Sequence, residues 1–255
     1  MGRVTCATSA SLNSAIHAEG YAFVQGSAMA EILAPFGPLS DWARFVASWD
    51  DLERDPYMAD GGRYRRRRHA VFGSDAAHVV ERKPHQPHYQ SVDYNPLNGG
   101  IARWFEPVAS DVGEGPTMKT ILAFCQSFFS SLSPPAPAWH IEVHQFRIEA
   151  CPGEAGLPTP EGLHRDGVDY VLVLLIQRRN IASGTTMIYG KEGGPLGHFT
   201  LTDPLDAALV DDRRVFHGVT PVHAINPVLP AHRDVLVVTF ASRPVRAYPT
   251  ASSSD

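Results

Sequence analysis

The run YVLVLLI at residues 170–176 is apolar at every position. An extended chain points successive side chains to opposite faces, so a strand built from this run must be covered on both sides. At seven residues it falls far short of the ~20 needed to cross a bilayer as a helix. It is therefore the expected central strand of a soluble sheet. Further strand-like runs lie at 140–149, 184–190, 198–202, 207–211, 215–222 and 233–241, punctuated by Gly, Pro, Asn and Asp. Short strands at such spacing predict a sandwich or jelly roll. The N-terminal half supplies the cover. Helical periodicity appears at 9–18 and 27–50, and most clearly at 117–132, where Ile121, Leu122, Cys125, Phe128, Phe129 and Leu132 recur on one face. Strand-like runs are also expected at 63–72 and 86–93. The fold expectation is mainly β with helical cover (α+β), one jelly-roll domain over residues 1–243, and a loose tail at 244–255.

Net charge is −5 with histidine neutral, which argues against nucleic acid or an anionic membrane as the main partner. The three cysteines, Cys6, Cys125 and Cys151, form no CxxC pair and suggest a reducing, cytoplasmic setting. No secretory signal is expected at the N-terminus.

Immediately before the apolar run stands LHRDG, with His164 and Asp166 two positions apart. In an extended segment those side chains point to one side and can reach one ion. Downstream, LVDDRRVFHGVTPV offers His217 as a third ligand. Two histidines and one carboxylate leave coordination positions open, which suits non-haem Fe(II) that must also bind a co-substrate and O2. A structural zinc site would more often be closed and sulfur-rich. Further on, Arg233 opens an otherwise apolar strand, AHRDVLVVTF, and needs an anionic partner. A dicarboxylate such as 2-oxoglutarate could chelate iron at one end and pair with Arg233 at the other. Taken singly, each residue has a plainer reading: a surface histidine, or an arginine paired with Asp234 or Asp211.

Taken together, LHRDGVDYVLVLLIQRRNIASGTTMIYG, LVDDRRVFHGVTPV and HRDVLVVTF resemble the Fe(II)/2-oxoglutarate-dependent dioxygenases with a double-stranded β-helix (jelly-roll, cupin-like) core. More narrowly, the chain resembles the branch holding bacterial free L-amino-acid hydroxylases of the isoleucine 4-hydroxylase type and biofilm, stress and motility proteins. YNPLNGGIARWFEPV and HQFRIEA add to that likeness. The resemblance implies that His164, Asp166 and His217 hold iron, that Arg233 holds the distal carboxylate of 2-oxoglutarate, and that O2 is the second co-substrate. Many relatives outside this branch place a serine two residues after that arginine, whereas this chain has Val235. Tyr189, Thr186 and Thr239 are candidates for the missing hydroxyl donor. The implied reaction hydroxylates a small molecule, most readily a free L-amino acid, and releases succinate and CO2. A non-redox cupin-type metal protein and a metal-free binding barrel are the alternatives.

For the substrate, RYRRRR at 63–68 splits by parity. Tyr64, Arg66 and Arg68 share one face, and Arg65 and Arg67 the other. The first set is expected to line the barrel mouth, with a solvated edge strand as the plainer view. Gln145 and Arg147, on one face of HIEVHQFRIEA, are further substrate candidates. His85, His88, His223 and His232 are not expected to be ligands.

Overall fold

The computed structural model describes residues 5–6, 8–75, 79–135 and 138–242. The expected tail at 244–255 lies outside them. In chain order the strands are β1 (Thr5–Cys6), β2 (Tyr21–Val24), β3 (Arg65–Ser74), β4 (Val80–Arg82), β5 (Trp139–Glu149), β6 (Tyr170–Arg179) and β7 (Ile181–Ser183). They continue with β8 (Thr185–Gly190), β9 (Pro195–Thr200), β10 (Ala207–Asp211), β11 (Val215–Val219), β12 (Val222–Ala224) and β13 (His232–Ala241). The helices are α1 (Ser9–Glu19), α2 (Gly26–Leu33), α3 (Trp42–Ala47), α4 (Ser110–Gly113) and α5 (Pro116–Ser131).

Eight strands form a large sheet in the order β1-β2-β10-β6-β13-β5-β3-β4, and a smaller sheet runs β11-β8-β9. The apolar run occupies β6, between β10 and β13. Its two faces serve two cores. Tyr170, Leu172, Leu174 and Ile176 join the helices in the larger apolar cluster, beside Met29, Ile121, Phe124 and Phe129. Val171 and Leu175 face the smaller sheet and pack with Ile188, Phe199 and Val215. Each fully buried side chain of this size contributes roughly 1.5–3 kcal/mol. The double cover that the run demanded is thus met by helices on one side and the second sheet on the other, giving a double-stranded β-helix.

Local signals account for the helix ends. Thr8 caps α1, accepting from the Ser11 N–H at 3.2 Å, while the Ser11 hydroxyl accepts from the Thr8 N–H at 3.1 Å. Gly20 closes α1 with φ of +79°, a conformation that costs glycine little. The segment 27–50 is broken into α2, α3 and two short 3₁₀ turns.

Two expectations fail. Residues 86–93 form no strand; their one backbone pairing of β type among the described residues is an isolated bridge from His88 to Arg103. The expected strand 215–222 is two strands, β11 and β12, separated at Thr220-Pro221, where proline cannot donate to a ladder.

Candidate active site

His164 and His217 face each other across an antiparallel bridge, each backbone N–H donating to the other's carbonyl at 2.9 Å. That bridge adds the segment before β6 to the edge of the smaller sheet at β11. The rings lie 4.6 Å apart between centroids. Nε2 of His164 stands 3.5 Å from Oδ1 of Asp166, and Nε2 of His217 stands 3.5 Å from Oδ2. Three donor atoms therefore converge from two chain segments, as the period-2 spacing of His164 and Asp166 predicts.

What holds Asp166 in place is a second carboxylate. Asp212, buried, accepts from the backbone N–H groups of Asp166 at 2.9 Å, Gly167 at 2.8 Å and Val168 at 3.2 Å. The Gln90 side chain donates to the Asp166 carbonyl at 3.1 Å. Gly167 takes φ of +83°, and a Cβ there would stand 2.6 Å from the Tyr94 ring, so no other residue fits this turn without displacing the ring. Nδ1 of His164 donates to the Gly162 carbonyl at 3.1 Å, leaving Nε2 free to ligate. Nδ1 of His217 is buried without a hydrogen-bond partner and stands 3.9 Å from Asp212.

The electrostatics call for a cation. Burial disfavours charge on His164, yet Asp166, Glu161 and the Gly162 carbonyl outweigh it and push its pKa up to about 9. Burial likewise opposes ionisation of Asp166, but His164 and His217 hold its carboxyl well below the usual range. Asp212 moves the other way: burial, then the Asp166 charge, raises it to about 6. A divalent metal with neutral imidazoles fits the donor set.

The cluster opens on a cavity of about 600 Å³ between the two sheets. Arg233 lines the same cavity and is 2 % exposed. Its Nε and Nη2 have no hydrogen-bond partner, and no carboxylate among the described residues lies within ion-pair distance. Asp234 does not serve, because it alternates to the opposite face and pairs with Arg147 at 2.8 Å. Burial, then the neighbouring Arg178, brings the Arg233 pKa down to about 10. Two adjacent guanidiniums without an acid make an anion receptor.

Arg178 escaped sequence reasoning because a register shift hides it. Between Val235↔Leu175 and Asp234↔Gln177 the β13–β6 ladder takes in one extra residue. That bulge switches the parity of β6, so Arg178 comes directly opposite Arg233 instead of facing the helices with Leu172 and Leu174. Its Nη2 donates to the carbonyls of Ile181 and Ser183, while its Nη1 is buried and unpartnered.

Among the hydroxyl candidates, Thr186 and Thr239 line the cavity. Tyr189 does not: on β8 it alternates away from the face that carries Thr186 and the buried Ile188. The substrate candidates on β3 and β5 also have the wrong parity. Arg66 pairs with Glu149 at 2.8 Å and Arg68 donates to the Asp51 carbonyl at 3.0 Å, both away from the cavity. Tyr64 bonds Asp60 and packs in a separate small cluster. Gln145 donates to Ser48 at 2.8 Å, and Arg147 is bound to Asp234 and Asp50. The opposite faces, with Arg65, Arg67, Glu142, His144 and Phe146, look into the cavity. With polar residues on both faces of both strands, nothing in the sequence said which face was the inner one.

His69, His88, Glu142 and His144 form a second group with metal-ligand spacing on this wall. Here the chemistry speaks against a cation. Arg67 donates to Nδ1 of His144 at 2.7 Å, which leaves the ring proton on Nε2, the nitrogen facing Glu142. Burial brings the His88 pKa down to about 4 despite Glu142 nearby, with Arg103 and Arg67 adding to the fall. His88, not expected to be a ligand, nonetheless stands in this group.

Comparison with known proteins gives a consistent picture. The family model described as 2OG-Fe dioxygenase matches residues 46–239. Among curated proteins, the chain is 25% identical over 229 residues to a 3(1)-hydroxy-L-isoleucine 4-dioxygenase of Pantoea ananatis, covering 87% of this chain and 92% of that enzyme. It is 29% identical over 157 residues to an L-isoleucine-4-hydroxylase of Bacillus thuringiensis, covering 60% of this chain and 65% of that enzyme. Among solved structures, a bsmA homolog from Methylobium petroleophilum PM1 superposes with a TM-score of 0.85 at 35% identity, over 94% of this chain and 95% of that one.

Proposed function

The chain belongs to the 2OG-Fe dioxygenase family, and we propose that it hydroxylates a free aliphatic L-amino acid in the cytoplasm. In this reading His164, Asp166 and His217 hold Fe(II), and Arg233 holds the distal carboxylate of 2-oxoglutarate. The observation that carries the reading is one cavity with a cation-seeking triad and an unpaired guanidinium on its walls. The iron centre, with 2-oxoglutarate and O2, supplies the oxidant for an unactivated C–H bond, and the co-substrate leaves as succinate and CO2.

The protein's own part is positional. The Gly162 carbonyl keeps the His164 proton on Nδ1 and its lone pair on Nε2. Asp212 fixes the Asp166 turn. Arg178 crowds Arg233 and raises the positive potential where the diacid ends. Thr186, two residues past Gly184, whose backbone lies beside the Arg233 side chain, supplies the hydroxyl that many relatives take from serine, whereas Thr239 stands about 20 Å along β13 from Arg233, too far to share its anion. Val171, Val173, Val210, Val235 and Val237 line the cavity and exclude water around an aliphatic side chain. The isoleucine activities named for the two curated relatives support a substrate of this class. The free state of Cys6, Cys125 and Cys151 suits a reducing compartment, and no helix of the described residues is long and apolar enough to cross a membrane.

The test is anaerobic addition of Fe(II) and 2-oxoglutarate. A weak visible charge-transfer band is expected, lost in His164→Ala and kept in His85→Ala. A panel of the twenty L-amino acids, scored for succinate release coupled to product, then identifies the substrate. Absence of the band in wild-type protein sinks the iron assignment. A band without coupled turnover on any amino acid sinks the substrate class alone.

A further inference from the structure

The wall of β3 and β5 that faces the cavity carries more charge than apolar packing needs. Arg103 lines the cavity and is only 2 % exposed. Its Nε has no hydrogen-bond partner, and no carboxylate among the described residues lies within ion-pair distance of it. Phe105 sits under its guanidinium at 5.8 Å. Next to it, Arg67 is clamped flat, 3.6 Å from the centroid of Phe105 and 4.4 Å from that of Phe146, with its own Nε also unpartnered. Asp55 takes Arg65 at 2.7 Å and reaches Arg67 only at 3.7 Å. Asp55, Glu142 and Glu161 are the carboxylates that act on Arg103, but none comes within ion-pair distance of it. A buried cation without a counter-charge is costly, so its retention asks for an anion that arrives from outside.

Glu142 offers the complementary half. It lines the same cavity. Only His88 Nδ1, at 2.7 Å, is within hydrogen-bond distance of its carboxylate. The nearest nitrogens of His69, His140 and His144 stand at 3.6 Å. An ionised carboxylate accepts up to about four hydrogen bonds, so acceptor capacity remains unused. Burial, with Arg67 nearby, resists protonation of the His69, His88 and His144 imidazoles.

We infer that this wall reads the α-amino-acid group of the substrate, Arg103 and Arg67 taking the α-carboxylate and Glu142 the α-ammonium. This rests on the free-amino-acid reading above and adds the residues that impose it. Both termini of the zwitterion are gripped on the β3–β5 side, and the aliphatic chain reaches across the valine-lined space toward the triad. Substrates lacking either charge are rejected, because each then leaves a buried charge unpaired.

The test crosses ligands with variants. Protein loaded with Fe(II) and 2-oxoglutarate under anaerobic conditions is titrated in a calorimeter with the best L-amino acid of the panel, its primary amide and its deamino acid. Wild type should bind each analogue at least about 30-fold more weakly than the amino acid. In Arg103→Met the amide penalty should vanish while the deamino penalty persists, and Glu142→Gln should show the converse. Both variants should keep the 2-oxoglutarate charge-transfer band, which reports on the fold and on the triad. Arg103→Met should also melt at a higher temperature than wild type, since it removes an unpaired buried charge, whereas loss of a merely structural arginine would lower the melting point. Equal wild-type affinity for the amino acid and its amide overturns the inference and leaves the amino-acid reading intact. Failure of every amino acid to bind wild type overturns both.

Discussion

At the scale of single residues, the candidate metal centre is governed by where protons and lone pairs sit. With the metal absent, His164 has its pKa raised from an ordinary 6.5 to about 9. The stability this contributes is fully present below pH 6.5 and is lost as pH rises through 9. Metal binding has the opposite sign, since it must expel that proton. Between pH 7 and 9 the affinity for Co(II), used as an air-stable reporter, should tighten close to tenfold per pH unit, with about one proton released per ion. Calorimetry in buffers of different ionisation enthalpy checks this; a pH-independent affinity would show that His164 is not a ligand. Asp212 is the more revealing substitution. Asp212→Asn puts an N–H where three backbone donors now converge. Metal affinity should fall roughly 10–100-fold although no ligand is lost, measurable by competition with a chelating dye. The candidate triad and Arg233 were legible only in conjunction: a His-x-Asp pair before a buried strand, a later histidine at a strand start and an arginine opening the next strand, in that order. The part Asp212 plays was not legible, because the turn it holds is that of Asp166, distant in sequence.

Among elements, parity decides function, and a sequence shows parity only where one face is apolar. In β6 both faces are apolar, yet they do different work. Leu172→Ala opens a hole against the helices and should cost about 2–5 kcal/mol in denaturant unfolding. Val173→Ala lies on the cavity wall. It should cost less stability and shift substrate preference toward longer side chains, read as a change in the ratio of kcat/KM values. If the two variants are equally destabilised and preference is unmoved, the assignment of faces is wrong. The arginine run of β3 shows the reverse difficulty. Arg65 and Arg67 face inward, while Arg66 and Arg68 face the segment before β3. Five polar residues in a row, Arg65 to His69, gave no internal clue. The bulge in the β6–β13 ladder was equally silent, although it brings Arg178 opposite Arg233. Strand positions were otherwise readable from β-branched content and turn residues, and α5 from its 3.6-residue period.

For the whole molecule, the two sheets meet in an apolar cluster on one side of the cavity and at the candidate metal centre on the other. Asp166 belongs to the segment that leads into β6 of the large sheet, while His217 sits in β11 of the small one. An ion shared by these residues is a rivet between layers. Stripping it should lower the melting temperature, by an amount that grows with the free metal concentration used for comparison. Hydrogen exchange should quicken at His164 and His217, whose paired amides form the seam, and leave the helix-backed face of β6 untouched. Cells short of iron would then hold this protein in a loosened form, its rim breathing while its helical flank stays shut. The same closure that prepares the oxidant would also decide how long the polypeptide survives the proteases around it.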